Sequence, residues 1–513
     1  MNETRTKRRN IAAPGRLLRV GARLLAGGVF AWTAYSGFAL HLTRSFEQAP
    51  PTHLANADAL YPVSLAKELL FSPYDIRGWH VPPSPYWFPD IALQLPIYAA
   101  TKNTPLALFS HWVGVGALFA FSVFLLIERG RRYGAVELSI SSGSALLCLP
   151  IIAPDRMTVF VRALTSAHHG WAAVVAWFAC AAMLSRRTWP FRIACCVCVL
   201  TLASDRYLLV GLVPVAAMGC IGGRWERRLL WRALWLLGAA ALGGLLDAKL
   251  RAMGFVLFTA PPEAALQSSH WRDLLPPKEI WPLVICVLLS GVFVLRKIRH
   301  SRTRTLVGLL SATAVLATGA NMLAANLVLI PAPPRYYSLS YFFLAGGLCV
   351  EAALLLDSKP YVWILNGLLA GALTVSGPVP GPSAVLGYRP EFTRCLEKLA
   401  EERAWKMGLG EYWYARPVRV FTGGLEVNPP YPLMWIGNYF WIWGPQPPAT
   451  YRFVLLPRLD IDQFRKDYGA PSGEFRCGSV GIYEYDERSD GLIRQTFART
   501  PEEIRLWRKL TGR

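Results

Sequence analysis

The feature that most constrains this chain is a series of long apolar blocks. Leu24–Leu42, Leu106–Ile127 and Leu306–Ala325 carry almost no charge, and a helix of about 20 such residues crosses the hydrocarbon core of a bilayer. The pattern predicts eleven spans, at roughly 22–42, 105–127, 135–153, 168–185, 190–203, 207–222, 232–250, 280–295, 305–330, 337–356 and 361–377. The fifth and sixth are short and nearly fused, so the count holds to within one. Composition agrees. Of 513 residues, 53% are hydrophobic and 17% charged, where a soluble protein carries about a quarter charged. The predicted class is a polytopic α-helical membrane protein.

The net charge of +21 invites a nucleic-acid reading, but its distribution argues otherwise. Residues 1–23, 128–133, 185–192, 223–232, 296–304 and 357–360 together hold 23 Lys or Arg, against Glu3, Glu128, Glu226 and Asp357. From Gly377 onward, 19 basic and 16 acidic residues nearly balance. The excess lies in alternate short connections, the pattern that marks cytoplasmic loops. It sets orientation and predicts no nucleic-acid partner. Arg5, Lys7, Arg8 and Arg9 hold the N-terminus in the cytoplasm, and eleven crossings leave the C-terminus outside. Leu42-Thr43-Arg44-Ser45 offers no small-residue cleavage site, so the first span reads as an uncleaved helix. The expected organisation is a basic cytoplasmic segment, 1–23, a membrane domain, 24–377, with an extracytoplasmic loop at 43–104, and an extracytoplasmic domain, 378–513. The expected location is a bacterial inner membrane.

The first outer loop is not linker-like. Asp58–Phe71 carries apolar residues at helical spacing, and Asp90–Tyr98 can form a second short helix. Both suit amphipathic segments lying in the membrane interface. Between them, Trp79–Asp90 is rich in proline and aromatics, which makes it stiff and extended. After Pro378 the composition becomes that of a small α/β domain. Arg389–Met407, Asp460–Tyr468 and Pro501–Leu510 read as helices, and Arg416–Phe421, Arg452–Leu456 and Ser479–Tyr485 as strands. Eight of the ten cysteines fall in spans. Cys395 and Cys477 fall in the outer domain, where an oxidising compartment favours a disulfide over two free thiols.

No soluble-enzyme signature is present: no P-loop, dinucleotide fingerprint or HExxH. The informative polar residues lie where spans meet the outer surface. Asp58 is either a general base for a hydroxyl or the N-cap of the helix after it. Asp90, preceded by Pro89, has the same two readings. Asp155 and Asp205 sit at span ends, each followed by Arg, as interfacial Asp–Arg pairs or as an outer polar cluster beside Asp58. His168 and His169 open the fourth span on different helix faces, and one of them could donate to a phosphate. Arg335 could grip a phosphate through two parallel hydrogen bonds or snorkel to the interface. The aromatics Trp79, Tyr86, Trp441 and Trp443 could stack on sugar rings or rest on the bilayer.

Several short segments carry a resemblance: Asn56-Ala57-Asp58, Gly78-Trp79-His80, Pro82–Tyr86, Phe88-Pro89-Asp90, Ser204-Asp205-Arg206, Arg335-Tyr336 and Gly410–Arg416. With the span pattern and the outer domain, they resemble the GT-C glycosyltransferases, more narrowly the bacterial enzymes related to protein mannosyltransferases and the lipid A aminoarabinose transferase. Asp58 is followed by Ala59, where many members carry a second acidic residue. The resemblance implies a polyprenyl-phosphate-linked sugar as donor, membrane lipids as surroundings, and a single inverting displacement onto an extracytoplasmic glycan, lipid or protein. It implies that Asp58 deprotonates the acceptor hydroxyl. Arg335, His168 or Arg206 would then stabilise the departing phosphate, with Asp155, Asp205 and Asp90 nearby. No cofactor or metal is called, and a divalent cation is left open. A transporter or flippase of a lipid-linked saccharide is the alternative, with a non-catalytic envelope-assembly protein as the third class. Transporters tend to show internal repeats and midplane polar sites, neither of which the sequence carries.

Overall fold

The computed structural model describes residues 12–44, 58–71, 84–130, 134–152, 158–167, 169–224, 226–253, 280–297, 301–328, 337–355, 366–369, 371, 378–428, 450–457 and 459–494. Ten of the eleven apolar blocks lie on long helices. These are α1 (Ala12–Arg44), α4 (Thr104–Gly130), α5 (Ala135–Ile152), α7 (Gly170–Leu184), α8 (Trp189–Leu202), α9 (Leu208–Gly222), α10 (Arg227–Ala252), α11 (Ile280–Lys297), α12 (Ser301–Val328) and α13 (Ser338–Leu355). In the interval stands a pair of short helices, α2 (Tyr61–Phe71) and α3 (Ala92–Thr101), and then α6 (Thr158–Leu164). Among the described residues, Thr104–Glu128, Arg227–Ala252 and Thr305–Ala324 are long and apolar enough to cross a membrane. Helices suit such a chain because every backbone group is satisfied within the segment.

Packing within the bundle depends on small residues. A Cβ on Gly346 of α13 would stand 2.3 Å from the Trp177 ring of α7, so glycine lets these helices meet at the most buried tryptophan of that helix. Polar side chains in α5 bond back to their own helix: Ser139, Ser141, Ser142 and Ser144 donate to the carbonyls four residues earlier. Glu351 of α13 accepts from Ser311 of α12 at 2.6 Å and from Ser290 of α11, which ties three helices at one buried carboxyl.

One of the two first-loop helices, α2, differs from expectation. Tyr61, Pro62, Val63, Ser64, Leu65, Ala66 and Glu68 of α2 are buried. The helix is therefore packed inside the protein on most of its surface rather than lying amphipathically on a bilayer.

The C-terminal residues build a five-stranded sheet from β1 (Met407–Gly410), β2 (Glu426–Asn428), β3 (Tyr451–Leu455), β4 (Gly473–Cys477) and β5 (Val480–Glu484). Its order is β2-β1-β3-β5-β4. β1 pairs in parallel with β2 and β3, and β5 antiparallel with β3 and β4. The helices here are α14 (Pro382–Leu386), α15 (Glu391–Glu402), α16 (Tyr412–Phe421) and α17 (Ile461–Tyr468). Asp460 caps α17 by accepting from Gln463 N at 3.0 Å. Cys395 and Cys477 are joined by a disulfide that links α15 to β4. Arg416–Phe421, expected as a strand, is instead the second half of α16. Glu411 caps that helix by accepting from Trp413 N, and its buried face carries Tyr414, Ala415 and Val418. Helical spacing wins over β-branched content because the two arginines on it have partners in α2. The expected helix Pro501–Leu510 lies outside the described residues.

Candidate functional site

The start of α7 is where the first loop and the α8–α9 turn meet, and the C-terminal helix α16 packs on α2 of that loop. Tyr86 has a left-handed backbone, φ 53°, and the Phe88–Pro89 peptide is cis. A wide turn over Trp87–Ile91 follows, closed by Ile91 N donating to Tyr86 O at 3.1 Å. This turn turns Asp90 inward, where it is buried. Asp90 is not a helix cap, since the following helix has no side-chain cap. Its Oδ1 accepts instead from Ser166 Oγ at 3.2 Å and Ala167 N at 3.0 Å. Gln94 Nε2 in turn donates to Ser166 Oγ at 2.8 Å. His111 Nδ1 lies 3.4 Å from the same oxygen and accepts from Trp171 Nε1 at 2.9 Å. A ring nitrogen that accepts there carries a lone pair, so a protonated Asp90 relieves the lone-pair contact. Burial raises the Asp90 carboxyl to about 7, and the charge of Asp205 pushes the same way against the two hydrogen bonds.

Asp205 is the second buried carboxylate, and three donors hold it. His169 Nδ1 lies 2.7 Å from Oδ2, Tyr207 N donates to Oδ1 at 3.0 Å, and Ser84 Oγ donates at 3.3 Å. Ser204 Oγ accepts from Phe88 N at 3.1 Å, so the first loop is pinned to the α8–α9 turn twice. The expected Asp205–Arg206 pair does not form. Adjacent residues in this turn face apart, and Arg206 Nε reaches Asp247 of α10 at 2.5 Å while Arg251 holds the same carboxylate at 2.9 Å.

His169 has a left-handed backbone, φ 64°, and is followed by Gly170. A Cβ at Gly170 would sit 1.9 Å from the Ala163 carbonyl oxygen, so only glycine fits where α7 begins. The imidazole lies between Tyr86 and Tyr207, with ring centres 5.8 and 4.8 Å away. The Tyr207 hydroxyl donates to Asn321 Oδ1 of α12, whose amide donates to Ser340 of α13 at 3.0 Å. The aromatic chain continues outward: Tyr61 stands 6.4 Å from Tyr86, and the Arg416 guanidinium lies 5.4 Å from the Tyr61 ring. Burial pushes the Tyr61 phenol far above its ordinary value, with Arg416 opposing.

Asp58 stands at the head of this arrangement. It is half-buried, and its carbonyl accepts from Tyr61 N at 3.1 Å, which closes the turn into α2. That helix is clamped to α16. Arg419 approaches Glu68 Oε1 at 2.5 Å, and Lys67 Nζ donates to the carbonyls of Arg419 and Thr422 at 2.7 and 3.2 Å, a cation on a helix C-terminus. Burial lowers the Lys67 ammonium, and the Arg419 charge lowers it further.

No protein-family model matches the sequence, and no curated protein matches it. The structure is similar to a crystal structure of the Archaeoglobus fulgidus oligosaccharyltransferase in complex with zinc and sulfate. The TM-score is 0.43 at 12% identity, over 80% of this chain and 62% of that one. This chain therefore spans under two thirds of that protein's length, and a likeness so distant transfers no activity.

Of the residues singled out in the sequence, Asp58, Tyr86, Asp90 and Asp205 belong to one contact network. Arg206 stands beside it, joined to Asp247. Trp79, Asp155, His168, Arg335, Trp441 and Trp443 lie outside the described residues. Sequence reading named His169 as one of an adjacent pair, carried Ser204 and Arg416 only inside motifs, and passed over Tyr61 and Ser166. The His-His pair was a signal for His169; Ser166 carried none. Among the described residues, no three His, Cys, Asp or Glu side chains gather as a metal site.

Proposed function

We propose that the chain is a membrane glycosyltransferase that moves a sugar from a polyprenyl-phosphate donor to an extracytoplasmic acceptor with inversion. The observation that carries this reading is convergence. Segments far apart in sequence resemble GT-C motifs; Ser84–Phe88 and Ser204–Asp205 contact one another beside the start of α7, and Tyr61, in the turn that Asp58 opens, stands between Tyr86 and Arg416. In this reading residues 1–23 are cytoplasmic, 24–377 form an eleven-span membrane domain of an inner membrane, and 378–513 form an extracytoplasmic domain that binds the acceptor.

Asp58 removes the acceptor proton as its oxygen attacks the anomeric carbon. Arg206, with Arg335 and His168, stabilises the departing lipid phosphate, the largest charge that develops. Asp155, Asp90 and Asp205 shape the donor site. Tyr86, Trp79, Trp441 and Trp443 offer aromatic faces to sugar rings. No metal is assigned a role.

The test is transfer by purified wild type and Asp58→Asn, from polyprenyl-phosphate sugars to extracted envelope acceptors, with and without a chelator. Loss of roughly 10²-fold or more in the variant is expected for a base. Unchanged transfer removes Asp58 from that role. A wild type that moves a saccharide across vesicles and transfers none makes the protein a transporter.

A further inference from the structure

We infer that the β4–β5 end of the C-terminal sheet carries a saccharide-binding cleft, and that its ligand is an uncharged stretch of the acceptor glycan. The role as an acceptor subsite rests on the transferase reading; the cleft does not. A cavity of about 590 Å³ opens there, within the range of small-molecule sites, about 300–1,000 Å³. Leu456 and Pro457 form an apolar wall, Glu474 and Arg476 a polar one, and Gly481 and Tyr483 lie between them.

Register builds the cleft. Glu474 lies opposite Tyr483, and Arg476 opposite Gly481, across the β4–β5 ladder. Directly opposed residues point to one face of a sheet, so these four share a face. It is the face that α17 covers, since Tyr483 packs with Phe464 and Tyr468. Helix α15 covers the other face through Phe392 and Leu396. Arg465 of α17 braces the buried Tyr483 by donating to its hydroxyl, with the guanidinium 5.1 Å from the ring centre. A Cβ at Gly481 would stand 3.0 Å from Leu456 Cδ1. A side chain on the floor would therefore crowd the apolar wall, and glycine keeps the cleft open.

The polar wall decides the ligand. Arg476 Nε donates to Gly478 O at 2.9 Å, which fixes one edge of the guanidinium; the terminal N–H groups are donors for a ligand. Glu474 meets Arg465 at 3.4 Å, with side chains 64% and 44% exposed. Water screens such a pair, and the carboxylate keeps acceptor capacity. Glu474 and Arg476 stand about 7 Å apart along the strand, one for each side of a ring-sized ligand. An anion would be repelled by Glu474, a cation by Arg476, and an apolar ligand would desolvate both. Sugar hydroxyls donate to the carboxylate and accept from the guanidinium, and hydrogen bonds to charged groups are the stronger kind. Position on the sheet sets the length of the ligand. Among the described residues β4 is the edge opposite β2, roughly 19 Å away by four strand spacings. β2 holds Glu426, which lies 3.9 Å from the Arg419 that binds Glu68 of α2. The β2 edge thus lies toward the Asp58 turn, and the cleft holds a distal part of a glycan several sugars long.

The test is binding of neutral trisaccharides of glucose, mannose and N-acetylglucosamine to the full chain in detergent, titrated by saturation-transfer NMR. At least one should bind saturably. Arg476→Met and Glu474→Gln should each weaken it by about tenfold or more, the order of a lost hydrogen bond to a charged group. Both residues are exposed, so both variants should keep the wild-type unfolding midpoint. Gly481→Val should weaken binding too, by filling the floor. In transfer, Arg476→Met should raise KM for a long glycan about tenfold with kcat within a few-fold, as when uniform binding is removed. Binding of none of the three sugars overturns the inference. Undiminished binding in both charge variants puts the sugar elsewhere and also overturns it. So does tighter binding of a uronic-acid trisaccharide or of a Ser/Thr-rich peptide. None of these results touches the transferase reading. A wild type that binds the neutral sugar as expected but transfers none retains the cleft and sinks the transferase reading instead.

Discussion

Helix α7 starts after His169 and ends before Ser185, and its two ends bury charge in different ways. At the end, Arg232 of α10 donates to the carbonyls of Ala182, Met183 and Ser185 at 3.2, 2.8 and 2.6 Å and to Arg187 at 2.9 Å. These acceptors are backbone, fixed and uncharged, and a cation there meets the negative end of the helix dipole. At the start, roughly 22 Å away along the axis, the buried polar groups are side chains that partner side chains: Asp90, His169 and Asp205. An end satisfied by backbone has one protonation state and one geometry. An end that includes a buried carboxyl such as Asp90, raised to about 7 by burial, can take up and release a proton. Burial alone therefore does not mark a site; the kind of partner does.

The largest effect should separate the two ends by activity. Asp205→Asn is expected to lower transfer by about 10²-fold, the order of a misplaced donor site, in a chain that still folds, measured as initial rate per folded molecule. Arg232→Met should leave the rate per folded molecule near that of wild type. Equal losses at both ends would break the comparison.

Stability should separate them in the opposite sense. Arg232→Met strands several buried carbonyls, each costing about 1–3 kcal/mol when left unsatisfied. A loss of about 2 kcal/mol or more is expected, read from the unfolding midpoint in detergent. Asp205→Asn keeps an acceptor for Tyr207 N and should cost less.

Much of the bundle could be read from sequence because a span advertises itself locally. Every residue of Gly170–Leu184 is part of one apolar run, and no distant partner is needed to recognise it. The site could be read only in fragments. Asp205 was legible as a polar residue at a span end, but its partner His169 lies 36 residues away, and the neighbouring Arg206 was the nearer guess. Arg206 in turn found Asp247, 41 residues on. Helix α16 was misread because Arg416–Phe421 looks like a strand until Glu68 and Tyr61 are known to face its arginines. Ser166 and Ser204 are ordinary residues whose meaning comes only from what they touch.

Proton uptake at the start of α7 gives the next prediction. The Asp90 carboxyl ionises at about 7 in the fold and near 3.9 when unfolded. Between those values the folded state holds the extra proton, so stability falls as pH rises from about 4 to about 7 and levels off above that. Asp90→Asn stays neutral and keeps an acceptor for Ala167 N. It should flatten that part of the stability–pH curve, and be the more stable of the two chains at pH 8. A parallel pair of curves would mean that Asp90 is ionised throughout.

The smallest effect sharpens what the far end of α7 owes to burial. Glu128 and Arg187 form an ion pair there, with side chains 31% and 45% exposed, and Arg232 donates to the Arg187 carbonyl. Water screens such a pair and replaces its hydrogen bonds, so its worth is about 0–1 kcal/mol. Glu128→Gln should therefore shift the unfolding midpoint by an amount near the error of the measurement, and added salt should remove what difference remains. The Arg232 effect should persist in salt because its partners are uncharged carbonyls shielded from water. If Glu128→Gln costs as much as Arg232→Met, the staple at this end is a network of charges, and the contrast with the titratable end loses its physical basis.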